Sequence, residues 1–340
     1  MNLIRGQSAN EVWRRAQELL RSEVDAGLSQ ASRAGVTFEL LHVAMEIEDP
    51  RQRWVAARQP PINPAFAIAE VIWILAGSNE SAILNYWFPR LPQFSGEGPT
   101  YAGAYGYRLR RHFGIDQLKR ACEILTANPD SRQVVMQLWD AKEDLPNRLG
   151  EPPSQDIPCN IVSLLKLRNN RLDWTQVMRS NDLYRGLPYN LIQFTTLQEV
   201  MAGWLNVKLG GYHHWSDSLH AYEADVEKFV SADESCEPNT DCLAMPMDQG
   251  ERLTAELFAR LQALTQPTLS EKNVAELALL QDAPSAYRNL LAILAAESAR
   301  KRRFIDLTES LAASCANPQL FQAWNRWNAW VTNANRIPVQ

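Results

Sequence analysis

The stretch IPCNIVSLLKLRNNRLDWTQVMRSNDLYRGLPYN, residues 157–190, decides how this chain folds. From 161 to 180 it reads as two strands around Asn169-Asn170, a pair that tolerates the positive φ of a tight hairpin turn. The next run, YNLIQFTTLQEVMAGWL (189–205), is apolar almost all round and reads as a buried helix. VKLGGYHHWSDSLHAY (207–222) then resumes extended structure. Cys159 stands at the start of the first strand and Arg179 at the end of the second, so the hairpin carries a thiol and a guanidinium to one end. Such a cation lowers a thiol pKa and also binds an anion. Asn190 opens the helix, where a side-chain amide can read a hydrogen-bond pattern. Alone, a cysteine beside a strand is more often a small buried hydrophobe.

Working outward, residues 10–27 carry apolar positions at helical spacing behind Asn10, and 35–49 read as one or two strands. NPAFAIAEVIWILAG (63–77) opens with Asn-Pro, closes with Gly and reads as a buried helix. Within it Glu70 stands out, because an isolated buried carboxylate costs several kcal/mol unless protonated or hydrogen-bonded. Such a group is either a structural acceptor or a general acid/base with a raised pKa. An amphipathic helix is predicted over 116–131 and a strand over 132–140. SADESCEPNTDCLAMPMDQ (231–249) is polar and aperiodic and reads as a surface loop or linker. Beyond it come helices: 250–265, 270–283, the run 284–313 and 319–331. Strands first and helices afterwards is an α+β order.

The chain has 340 residues, 46% hydrophobic and 21% charged, with a net charge of −5. It is an ordinary globular composition, and its sign argues against general affinity for nucleic acid. No run approaches membrane-spanning length, and the N-terminus lacks the apolar core of a signal peptide. Five cysteines without CxxC spacing and five histidines without HExxH suit a reducing compartment and offer no metal site. The expected location is the cytoplasm.

Seven segments together carry a resemblance: SRAG (32–35), AEVIWILAG (69–77), GPTYAGAYGYRLR (98–110), NPDSRQVVMQLWD (128–140), IPCN (157–160), MRSNDLYRGLPYN (178–190) and GGYHHWSDSLHAY (210–222). In this order they resemble the thymidylate synthase family over roughly residues 30–225. The resemblance implies an α+β fold with a large mixed β-sheet packed with helices, here with an additional helical C-terminal region. It divides the chain into a catalytic domain (1–230), a loop or linker (231–249) and a helical region of unknown role (250–340).

It also implies a mechanism. Cys159 would add to C6 of a uracil ring, making C5 a carbon nucleophile for a one-carbon unit from methylenetetrahydrofolate. Arg179 would activate the thiolate and, with Ser180, Arg33 and Arg132, hold the nucleotide phosphate; Arg132 would come from the partner in a homodimer. Glu70 would organise protons around the pyrimidine and folate, and Tyr105 would assist proton removal from C5. Asp182 would lie near both the pyrimidine ring and the folate and Gly186 near the folate, while His220 and Tyr222, on one strand face, would bind the sugar 3′-hydroxyl. Asn190 suits uracil, which offers one donor and one acceptor.

Departures fall on the folate side and around the nucleophile: Pro60-Pro61 replaces a basic pair, and WSDSL (215–219) replaces a glycine-rich turn. Asn160 stands for a histidine, Met178 for a glutamine and Gln133 for an arginine. The leading expectation is methylation of deoxyuridylate. The rival is a 5-hydroxymethylase, in which water captures the methylene, and the remaining alternative is a non-catalytic nucleotide-binding protein. Trp324, Trp327 and Trp330 read as a packing stripe, and ARKRRF (299–304) as a solvated helix face.

Overall fold

A computed structural model describes residues 1–32, 35–229 and 236–334. Its centre is a mixed sheet of strands β1 (Asn2–Gly6), β2 (Ser29–Ser32), β3 (Gly35–Ile47), β4 (Val135–Gln137), β5 (Asn160–Arg168), β6 (Arg171–Met178), β7 (Asn181–Asp182) and β8 (Lys208–Tyr222). The main path runs β1-β3-β8-β6-β5-β4, with β2 beside β3 and β7 beside β8. The hairpin β5–β6 turns at Asn169 and Asn170, with φ of 50° and 57°, as the sequence predicts. β6 and β8 are parallel, and the crossover between them is a helix.

The longer helices are α1 (Ala9–Asp25), α2 (Pro64–Leu75), α3 (Gln117–Ala127), α4 (Leu187–Trp204), α5 (Met247–Leu264), α6 (Glu271–Ala278), α7 (Ser285–Lys301), α8 (Ile305–Ala313) and α9 (Pro318–Ala334). Asn63 caps α2, accepting from Phe66 N at 3.1 Å, with Pro64 in the first turn. α2 is buried all round except at Glu70, and α4 packs on it from the sheet side. α5, α7 and α9 also contact α2, so the helical region from 250 shares its core with the strand-rich part. Between them, Asn239 N donates to Gln52 Oε1 at 2.8 Å and Asn289 Nδ2 donates to Asp241 Oδ1 at 2.7 Å. The stretch 236–246 therefore contains no helix or strand but is tied on both sides. No helix among the described residues is long and apolar enough to cross a membrane.

Three expectations change in detail. The strand predicted over 132–140 shrinks to Val135–Gln137, because Leu138 N and Trp139 N both turn to Ile161 O and end the ladder. The run 284–313 breaks into α7 and α8 at Arg303, which has φ 64°, with Phe304 N returning to Ala299 O. The basic face there is not simply solvated: Arg302 donates to the Tyr86 and Ser298 hydroxyls and to three backbone carbonyls, and Arg300 pairs with Glu297. WSDSL lies inside β8, paired with β3, within the extended run predicted over 207–222. The tryptophan stripe grades outward, from Trp324 at 1% exposure to Trp330 at 41%.

Residues 35–47 form one strand, yet its alternation breaks. Val43, Met45 and Ile47 face the core, and so do Leu40 and Phe38, so the buried parity switches across Leu41-His42. The paired strand switches at Asp217: 212, 214 and 216 are buried before it, 219 and 221 after it. His42 has φ 58°, and its Nδ1 lies 2.9 Å from Asp217 Oδ1. A strict period of two would bury His220 and Tyr222 with Tyr212; the switch turns them to the other face instead.

Candidate active site

The hairpin ends bring the predicted pair together. Arg179 Nη2 lies 3.9 Å from Cys159 Sγ, and Arg179 N donates to Cys159 O at 2.9 Å. The guanidinium also donates to the carbonyls of Pro158 at 3.1 Å and Ile157 at 3.3 Å, and lies 5.4 Å from the Trp139 ring centroid. Its carbonyl anchors fix its direction, so it faces the sulfur as a preset charge.

Tyr105 reaches this end of the site from the single turn Tyr105–Tyr107. Gly106 makes that possible: a Cβ there would meet Ile74 O at 2.3 Å, so only glycine lets the turn sit on the end of α2. Burial, with Cys159 and Glu70 nearby, holds the Tyr105 phenol well above its usual range. It is therefore a neutral hydroxyl, hydrogen-bonded toward Asn160. Asn160 Oδ1 in turn accepts from Gln176 Nε2 at 2.8 Å, and Gln176 Oε1 accepts from Ser163 at 2.6 Å and Trp174 at 3.1 Å. This polar ladder fastens the residue next to Cys159.

On the other side, Gln193 Nε2 donates to Glu70 Oε2 at 2.5 Å, and Asn190 Nδ2 donates to Gln193 Oε1 at 3.1 Å. Sequence reasoning missed Gln193. The available signal was its spacing, i+3 from Asn190 on an otherwise apolar helix. A Cβ on Gly186 would stand 3.5 Å from Asn190 Oδ1, so Gly186 leaves the approach to that amide narrow but open.

A third group gathers at β7 and β8. Ser180 Oγ lies 3.4 Å from His220 Nδ1, and the His220 and Tyr222 rings meet edge to face at 5.7 Å. Burial lowers the His220 pKa against the pull of Asp182, leaving the imidazole neutral; burial raises that of Asp182. Asp182 Oδ1 accepts from Tyr184 N and Arg185 N, both at 2.8 Å, so it also shapes the turn into α4. Arg132 is exposed ahead of β4 and is not brought to the cluster within one chain. Arg33 lies outside the described residues.

Among the described residues His112, Asp140 and Glu143 each place a ligand atom within 4.8 Å of the others, an arrangement already occupied by the His112–Asp140 hydrogen bond at 3.0 Å.

Burial drives Glu70 up to about 7 from 4.5, and the Gln193 hydrogen bond pulls the other way. Between those values the unfolded chain releases a proton that the folded chain keeps. Glu70 thus costs stability progressively as pH rises through that window. Glu70→Gln removes the ionisation, so the variant should gain about 3 kcal/mol on the wild type between about pH 4.5 and 7.5. Urea denaturation across that range measures it; a constant difference between the two proteins would contradict the assignment.

The site thus gathers a buried acid poised near neutrality, a thiol under a guanidinium and a side-chain amide. The chain belongs to the thymidylate synthase family, whose sequence model matches residues 17–247. It is 35% identical over 227 residues to a deoxyuridylate hydroxymethyltransferase of Bacillus phage SP01, covering 64% of this chain and 58% of that protein. A second deoxyuridylate hydroxymethyltransferase, from Pseudomonas phage M6, is 34% identical over 223 residues, 65% of this chain and 60% of that protein. A putative thymidylate synthase of Methanothermobacter thermautotrophicus is 34% identical over 134 residues, 39% of this chain and 57% of its own. The matches span less than two thirds of these relatives' lengths.

Proposed function

We propose that this enzyme converts deoxyuridylate to its 5-hydroxymethyl derivative, with methylenetetrahydrofolate as the one-carbon donor. The observation that carries the nucleotide chemistry is the guanidinium–thiol pair at 3.9 Å, in the same site as the chain Asn190–Gln193–Glu70. Cys159 adds to C6 and C5 attacks the one-carbon unit. Loss of the C5 proton then expels the tetrahydrofolate amine and leaves an exocyclic methylene; water adds to it, and the C6–S bond breaks to release Cys159. Hydroxymethyl is favoured over methyl by the names of the phage relatives. The phosphate falls to Arg179 and Ser180, with Arg33 and a partner's Arg132, and the sugar to His220 and Tyr222. Asp182 and Gly186 line the folate side. The test is mass analysis after incubation with deoxyuridylate and methylenetetrahydrofolate: a gain of CH2O with tetrahydrofolate released is expected. A gain of CH2 with dihydrofolate means methylation and overturns the choice, and no product overturns the reading.

The proposed assembly is a homodimer. The sheet face away from α4 carries Val162, Val177, Trp215 and Ala44 in one cross-strand row, beside Leu164 and a half-exposed Val135. Arg132 sits at the β4 edge of that sheet. If it reaches the partner's site, mixing inactive Cys159→Ser and inactive Arg132→Glu subunits restores activity, since one site of each mixed dimer is intact. With random exchange, recovery approaches roughly a quarter of wild-type sites. No recovery despite subunit exchange, or a monomer at working concentration, rejects the arrangement.

A further inference from the structure

We propose that Gln193 is a positioning residue that makes Asn190 present its uracil-reading edge, by passing on the hydrogen-bond polarity of Glu70. The inference rests on the nucleotide reading above and concerns how that site rejects cytosine.

The argument is one of donors and acceptors. An ionised carboxylate only accepts, so the Gln193 amide must turn its NH2 to Glu70, as it does at 2.5 Å. Its carbonyl oxygen is thereby turned to Asn190 and must receive a donor, which is Asn190 Nδ2 at 3.1 Å. Asn190 is left with Oδ1 and its second N–H for the base. Oδ1 accepts from N3–H of uracil, and the N–H donates to O4. Cytosine presents the reverse order, an acceptor at N3 and a donor at N4, and needs the Asn190 amide rotated by half a turn.

That rotation would set Asn190 Oδ1 against Gln193 Oε1. Rotating Gln193 to relieve it would set Oε1 against the Glu70 carboxylate. The two amides are withdrawn from water, Asn190 at 6% and Gln193 at 3% exposed, and Glu70 is partly buried on α2. Water does not screen the mismatch there, and each mispaired buried group carries a penalty of roughly one to three kcal/mol, a factor of about 5 to 150 in binding. One side chain with no contact to the base is thus enough to lock the reader.

Equilibrium binding of deoxyuridylate and deoxycytidylate, near pH 8 where Glu70 is ionised, tests this with two variants. Gln193→Met keeps the length of the side chain but breaks the link, so the uracil preference should fall about tenfold. Gln193→Glu keeps an acceptor toward Asn190 while sharing one proton with Glu70, so the preference should stay within about twofold of wild type. A purely structural role for Gln193 would not move the ratio of the two affinities. Full preference in folded Gln193→Met, or its loss in Gln193→Glu, overturns the relay alone. Wild-type protein that binds neither nucleotide overturns the nucleotide reading and the relay with it.

Discussion

Cys159→Ser abolishes turnover and leaves deoxyuridylate binding largely intact. A serine hydroxyl is scarcely ionised near neutrality, and the preset Arg179 charge at 3.9 Å from sulfur cannot bring it to alkoxide. Conjugate addition to a ring carbon favours the softer, more readily deprotonated sulfur. The groups that grip phosphate, sugar and base are unchanged, and the swap removes little volume at a partly exposed position. A loss of at least about 1000-fold in kcat is expected, with the dissociation constant moving less than about threefold. Steady-state kinetics and direct titration separate the two. Retained activity would rule out the covalent route and with it the proposed reaction.

The largest stability effect is expected at Asp144. Arg108 is 1% exposed, and its two terminal nitrogens each meet an Asp144 oxygen at 2.8 Å. Arg108 also donates to Ala102 O and Leu138 O, and Asp144 accepts from Asp140 N. The pair thus joins the turn that carries Tyr105 to the segment that carries Trp139. Asp144→Ala strands a buried guanidinium and should cost about 3–5 kcal/mol. Replacing both partners, Arg108→Met with Asp144→Leu, should recover most of that loss, because no charge is left unpaired. Urea denaturation measures both; a single-variant loss below about 1 kcal/mol would show that solvent reaches the guanidinium.

Much of this was legible in the sequence because local chemistry and fold agreed. Asn169-Asn170 marked the hairpin, Asn63-Pro64 and Gly77 bracketed α2, and the hairpin necessarily carried Arg179 to Cys159. The rest depended on three-dimensional context. The parity switch at His42 and Asp217 has no signature in either strand alone, since it arises from the two strands kinking in register. Gln193 looked like one polar residue on a buried helix until the opposing carboxylate was in place. The end of the predicted strand 132–140 was set by a carbonyl on β5 that two amides share.

The helix that carries Glu70 depends on residues made much later. Ile68 and Val71 of α2 line a small cavity with Leu290 of α7 and Leu320 of α9, more than two hundred positions further along the chain. On the ribosome, α2 therefore emerges long before its cover. For most of synthesis its apolar side has only solvent or a chaperone to face. The site is thus timed as well as placed: the helix that carries its acid is covered on this side only when α7 and α9 have been translated and have docked.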